Sequence, residues 1–185
     1  MLRPNALFAR GTLGDVVAHV RGVDARLCIR LNRSLRRRWV LRLFRAASQL
    51  GDGLFWYALM LALLLLARDG AAAVLHMTCV GVVCTASYKL LKQSTLRLRP
   101  YRVHGEVAPG AAPLDTYSFP SGHTLHAVAF TLVAVAYYPL LLALLLPFTL
   151  LVAASRVVLG LHYPSDVLAG AALGIFVGAA SLALV

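Results

Sequence analysis

The chain has 185 residues, 60% of them hydrophobic and 14% charged, with a formal net charge of +11. So apolar a composition excludes an ordinary soluble domain and fits one small helical membrane domain. Sixteen of the 18 basic residues are arginines, a balance that admits nucleic acid, anionic headgroups or phosphate esters as partners; because these arginines flank apolar spans rather than cover a soluble face, no nucleic-acid partner is expected.

The stretch Leu2 to Val20 is broken by Arg3, Pro4, Arg10, Gly11 and Asp15 and does not read as a secretory signal. So Arg-rich a start also fits a transit peptide, against which stand its few serines and the continuity of its pattern into the first span. From residue 13 to 50, apolar positions recur three or four apart (Val16, Val20, Val23, Leu27, Leu31, Leu35, Trp39, Leu43), with arginines between them. This predicts one or two basic amphipathic helices lying in the interface against anionic headgroups, so residues 1–50 are expected as a basic interfacial segment and 51–185 as the transmembrane domain.

Apolar spans follow at 53–67, 71–91, 124–138, 140–160 and 167–185, measured against about 20 residues for about 30 Å of hydrocarbon. The expected fold class is all-α, a membrane bundle of about five transmembrane helices. Arg68-Asp69-Gly70 and Tyr137-Tyr138-Pro139 join neighbouring spans as hairpins, leaving 92–123 as the one long connection and the natural place for chemistry. The span from Thr124 is short, so its start is expected below the membrane surface. Pro147 should kink the next span. Gly170, Gly174 and Gly178 give the last span a small-residue face for helix packing, with homodimerisation as its second reading. Cys28, Cys79 and Cys84 have no zinc-type or disulfide spacing and read as packing residues.

Three segments carry chemistry. Ser121 and Gly122 open an apolar helix, whose free N–H groups and dipole make an anion site; Gly122 lets a phosphate oxygen approach the backbone. His123 adds a group able to protonate a leaving oxygen. Lys92, Arg99 and Arg156 are cations at or within the membrane, costly unless they serve a site, and suited to phosphate oxygens; Lys89, Arg97 and Arg102 read instead as residues snorkelling to headgroups. His162 and Asp166 stand four apart, a spacing that lets the carboxylate hold a nucleophilic histidine, with an N-cap role for Asp166 as the alternative. Counting crossings puts all three segments on one membrane face.

On these residues the chain resembles the type 2 phosphatidic acid phosphatases, or lipid phosphate phosphatases, in their bacterial integral-membrane branch. Lys92 with Arg99-Pro100, Pro120-Ser121-Gly122-His123, and Ser155-Arg156 with His162 and Asp166 match the family pattern at every position. The resemblance implies hydrolysis of a lipid phosphate substrate through a phosphohistidine: His162 attacks, Asp166 orients it, His123 serves the leaving group and then water, and Lys92, Arg99, Ser121, Gly122 and Arg156 hold the phosphate. It implies no metal and no cofactor. His126 falls outside the pattern and is expected at the edge of the site or against a neighbouring helix. Phosphate transfer to another acceptor, and a non-catalytic lipid-binding scaffold, are the competing readings.

The resemblance also implies a bacterial inner-membrane protein. With five spans, eleven arginines in 1–47, five basic residues in 88–104 and Arg156 put 17 of the 18 positive charges on the active-site face, which positive-inside logic makes cytoplasmic. Many bacterial relatives work at the periplasmic face, so the two arguments point opposite ways. Residues 101–119 should govern headgroup selection, with Ala111 to Tyr117 as a lid.

Overall fold

The computed structural model describes residues 13–113 and 115–184; the start of the Arg-rich segment, with Arg3 and Arg10, and Leu114 within the expected lid lie outside the described residues. The chain is an all-helical bundle: α1 (Leu13–Asn32), α2 (Arg38–Gln49), α3 (Phe55–Leu66), α4 (Gly70–Thr95), the short α5 (Pro100–Val103), α6 (Gly122–Tyr137), α7 (Leu142–Val158) and α8 (Pro164–Leu182). Among the described residues, four helical stretches are long and apolar enough to cross a membrane: Arg38–Leu66, Gly70–Thr95, Pro139–Val158 and Pro164–Leu182. The fifth apolar helix, α6, has 16 residues, or about 24 Å at about 1.5 Å per residue. It is therefore shorter than the hydrocarbon layer, and its N-terminus can lie below the surface.

The first crossing begins earlier than its apolar run. α2 and α3 meet at a kink over Leu50–Leu54, where Gly53 leaves helical backbone, and together form one apolar stretch, so the first crossing extends across the boundary drawn at residue 50. Two glycines make this possible. Gly53 takes φ +134°, open to glycine without penalty, and a Cβ on Gly51 would come within 2.7 Å of the Val152 side chain, so the kink lies close against α7.

In α1 the buried residues Asp24, Cys28 and Asn32 recur every fourth position, and the apolar residues Val16, Val20, Leu27 and Leu31 are exposed. The predicted apolar stripe thus faces outward, as an interfacial helix requires, and a polar stripe does the packing. Asn32 Nδ2 donates to the carbonyls of Ala108 and Val158, both at 2.9 Å, and its Oδ1 accepts the Ala108 N–H at 2.9 Å. Cys28 is buried against the turn that follows α7, and burial, then Asp166 and Asp24, push its thiol up to about 12; it is an inert packing residue.

The bundle core gathers Trp56, Met77, Leu125, Phe130, Val133, Leu145 and Val152. α8 crosses α6 at very short range because its glycines are the contact: a Cβ would stand 2.5 Å from the Ser121 carbonyl at Gly170 and 2.6 Å from the Leu125 carbonyl at Gly174. The small-residue face is therefore used inside the chain and is not free for a second copy. Pro147 lies within α7, which continues past it to Val158.

Candidate active site

The end of α4, the start of α6 and the turn between α7 and α8 meet at one end of the bundle. Three backbone ties register them. The Ser121 N–H donates to the Asp166 carbonyl at 3.0 Å, the Ser118 N–H to the Arg97 carbonyl at 2.7 Å, and the Gly110 N–H to the Leu159 carbonyl at 3.0 Å. The three sequence segments are thus one physical structure, as the span count predicts.

Arg99 is buried and stitches two segments together: Nη1 donates to the Leu161 carbonyl at 2.8 Å and reaches His162 Nε2 at 3.1 Å. A guanidinium only donates, so Nε2 of His162 is the accepting, unprotonated nitrogen and the ring proton sits on Nδ1. That nitrogen faces Asp166 Oδ2 at 3.7 Å, beyond hydrogen-bond length but on the correct side. Burial, then the charges of Arg156, Arg99 and Lys92, hold the His162 imidazole well below its ordinary value. It is therefore neutral at physiological pH, with Nε2 at the cavity and its lone pair accepting from Arg99.

Asp166 has two further partners. Its Oδ2 accepts the Tyr163 N–H at 2.8 Å, capping α8, and its Oδ1 accepts from Arg97 Nη1 at 2.7 Å. The N-cap residue of α8 is Tyr163, with Asp166 three positions on as its capping-box partner, and this capping role coexists with the histidine-facing one. Arg97 does not snorkel: Nη2 pairs with Asp24 of α1 at 2.7 Å, Nη1 also donates to Ser165 Oγ at 2.7 Å, and its guanidinium lies 4.2 Å from the Tyr163 ring centroid. Asp24 in turn accepts the Ser165 N–H at 3.0 Å and pairs with the Ser165 hydroxyl. Sequence spacing could not expose this chain of contacts, because Asp24 and Asp166 are brought together only by the docking of α1.

Lys92 and Arg99 share a carboxylate. Asp115 Oδ2 lies 2.5 Å from Lys92 Nζ, and its Oδ1 lies 2.7 Å from Arg99 Nη2. Burial pushes the Asp115 carboxyl up, but the hydrogen bonds and charges of Lys92 and then Arg99 outweigh it and hold the group below the usual carboxylate range. The expected lid segment thus puts a negative group on the two cations.

His123, one residue into α6, turns Nε2 toward Asp52 Oδ1 at 3.2 Å. Arg156 is buried, with Nη1 held by Ser48 Oγ and Nε without a hydrogen-bond partner, an orphaned donor suited to an anion. Ser121 is fully buried; its Oγ pairs with Thr124 Oγ1 at 2.9 Å and caps α6. Of the predicted residues, Lys92, Arg99, Gly122, His123, Arg156 and His162 line one cavity of about 980 Å³, while Ser121 and Asp166 stand behind its wall. Sequence reading missed Asp52, Ser48 and Asp115. Asp52 carried a legible signal, a carboxylate between two glycines at the mouth of an apolar run. His126 is at the cavity edge, bonded to Thr85 and Gly122.

The cavity continues as a groove between α3 and α4, lined by Trp56, Tyr57, Met60, Thr78, Val82 and Phe130. From Lys92 to Thr78 this is 14 residues of helix, about 21 Å at about 1.5 Å per residue. Among the described residues, no group of three His, Cys, Asp or Glu side chains is arranged to hold a metal ion.

The profile of the PAP2 superfamily matches residues 53–185. The chain belongs to that superfamily. Among solved structures, it is similar to a transmembrane PAP2-type phosphatidylglycerolphosphate phosphatase of Bacillus subtilis, with TM-score 0.73 and 25% identity over 90% of this chain and 86% of that one. It is equally similar to Aquifex aeolicus LpxE, with TM-score 0.73 and 28% identity over 84% and 92% of the two chains. Among curated proteins, a decaprenylphosphoryl-5-phosphoribose phosphatase of Mycobacterium tuberculosis is 39% identical over 92 residues, 49% of each chain. A lipid A 1-phosphatase of Rhizobium johnstonii is 35% identical over 89 residues, 46% of this chain and 36% of that one. The chain spans about half the length of the first of these relatives, and less of the second. Membership in the PAP2 superfamily and the apolar helices make this a multi-pass helical membrane protein.

Proposed function

We propose that this PAP2 protein hydrolyses the phosphomonoester or diphosphate of a membrane lipid through a phosphohistidine on His162. One observation carries the reading: His162, its Nε2 unprotonated and held by Arg99, lines a cavity with Lys92, Arg99, Arg156 and His123, and that cavity opens into an apolar groove long enough for a lipid tail. The PAP2 relatives named for lipid phosphates support the same class of substrate.

In this mechanism the phosphate displaces Asp115 from Lys92 and Arg99 and takes the free Nε donor of Arg156 and the N-terminal amides of α6. Arg99 Nη1 passes from His162 Nε2 to a phosphate oxygen, the lone pair so released forms the N–P bond as the ester P–O bond breaks, and the departing oxygen takes a proton from His123. Water then gives a proton to His123 while its oxygen bonds to phosphorus, and the N–P pair returns to Nε2. Asp166 stabilises the Nδ1 proton throughout. Ser121 contributes through the helix terminus it caps. No step calls on a metal or cofactor.

The substrate is a lipid of the polyprenyl phosphate or diphosphate, phosphatidate or phosphatidylglycerophosphate type. Purified protein in detergent with EDTA should release phosphate from at least one of these, and His162→Ala should abolish release; no release across the panel refutes the reading. We assign the protein to a bacterial inner membrane with the site at the cytoplasmic face, on the positive-inside reading that assigns 17 of 18 basic residues to that side from the order of the apolar spans in the sequence. A cysteine introduced at Gly105, where an added Cβ meets nothing within 4 Å, tests this in a cysteine-free background. Labelling of intact cells by an impermeant thiol reagent would reverse the assignment.

A further inference from the structure

Asp52 is a carboxylate inside a 29-residue membrane-crossing helical stretch, where an ionised group is costly and marks a function by default. It lies at the kink over Leu50–Leu54 where two helices meet, one residue before the region that the PAP2 profile matches. The kink is built to carry it: Gly51 lets the backbone lie against Val152, and Gly53 supplies the φ of +134° that the path requires. The Asp52 side chain lines the cavity, 43% exposed, with Oδ1 3.2 Å from His123 Nε2.

His123 needs this neighbour. The other charged groups facing it in the cavity are Arg156 from α7 and Lys92 from α4, with the neutral His162 from the following turn and His126 from its own helix. A proton donor set among cations requires a counter-charge, and Asp52 is the one carboxylate at hydrogen-bond distance from His123 among the described residues. Asp115 is engaged by Lys92 and Arg99. With Nε2 within ion-pair distance of Asp52, Nδ1 is the nitrogen left for the departing oxygen and for water.

We propose that Asp52 is a positioning residue for His123: it fixes the imidazole with Nδ1 toward the substrate and stabilises the imidazolium that gives its proton to the leaving oxygen. This rests on the phosphatase reading. The proton that leaves His123 Nδ1 ends on the ester oxygen as the P–O bond breaks, and water restores it in the second step; Asp52 keeps its charge throughout.

The test compares kcat/KM for two esters in the full chain: an alkyl phosphate such as dodecyl phosphate, whose leaving alkoxide needs a proton, and p-nitrophenyl phosphate, whose acidic phenol does not. Asp52→Asn should lose about 10²-fold on the alkyl ester, the scale of a general-acid contribution, and under about tenfold on the aryl ester. In a His123→Asn background it should cost nothing further on the alkyl ester. Asp52→Ser is measured beside it, so that the ratio is read in whichever variant keeps the parent's thermal transition. Equal losses on both esters, as service to Arg156 alone would give, or an undiminished loss in the His123→Asn background, overturns the proposal. Failure of the parent to cleave either ester, together with no release from the lipid phosphate panel, instead refutes the phosphatase reading, a separate outcome.

Discussion

Gly170→Ala adds one methyl group at the point where α8 supports the active site from behind. The new Cβ would stand 2.5 Å from the Ser121 carbonyl oxygen, against about 3.4 Å for an ordinary contact, so the backbone at Ser121 must retreat by about 0.9 Å. It cannot do so freely, because the Ser121 N–H is tied to Asp166 on the same helix. Alanine gains about 1 kcal/mol of helix propensity over glycine, whereas overpacking a close contact costs about 1–3 kcal/mol, which leaves a net destabilisation of up to about 2 kcal/mol. The functional cost is larger. A shift near 1 Å carries Gly122 and His123 with it, and a misplacement of that size costs on the order of 10²-fold in rate. Thermal unfolding in detergent and kcat/KM on a lipid phosphate measure the two effects separately, with Ala172→Leu on the exposed face of α8 as the control. A Gly170→Ala protein that melts with the parent and keeps its activity within about threefold would refute this account of how α8 positions the site.

Asp24→Asn, on a helix outside the region matched by the PAP2 profile, should destabilise the chain by about 1–3 kcal/mol by loosening the Arg97 and Ser165 contacts, and should lower kcat more than it raises KM; an unchanged melting point and rate would mean that α1 does not brace the nucleophile. Asp115→Asn takes a competing charge off Lys92 and Arg99, so inorganic phosphate should inhibit about tenfold more tightly, the scale of a charged hydrogen bond; an unchanged inhibition constant speaks against Asp115 as the group that phosphate displaces. His162 is held below its ordinary value by burial first and by three cations next, so it stays neutral and nucleophilic as pH falls through 6.5, and the acid limb of kcat/KM that it governs should lie below that point. Because its folded value is the lower one, its contribution to stability is complete above about 6.5, the unfolded value, and is lost as pH falls from there toward the folded value; a melting temperature that is flat over that window, or that rises on acidification, would contradict the burial.

Much of the site was legible because its chemistry is written in residue types at short spacing. Arg99-Pro100, Ser121-Gly122-His123 and His162 with Asp166 each lie within a few residues, and alternating spans fix which loops share a face. Arg97 was misread for the opposite reason: its partners Asp24 and Asp166 are 73 and 69 residues away, and a lone arginine after an apolar span looks the same whether it reaches headgroups or a buried carboxylate. Asp52 was missed because hydropathy draws the span from residue 53, while the glycines on either side allow the crossing to run on from Arg38.

The sequence by itself determined the all-helical membrane class, the shortness of α6 and the three segments that converge, because these follow from hydropathy, length and the parity of crossings. Only the tertiary structure decided which of the chemically plausible groups touch. The docking of α1 brings Asp24 to Arg97, the kink at Gly53 brings Asp52 to His123, and the fold of the 104–119 loop brings Asp115 onto two cations. A hydrogen bond is decided over about 3 Å, and tens of residues of intervening chain carry no record of that distance until they are packed.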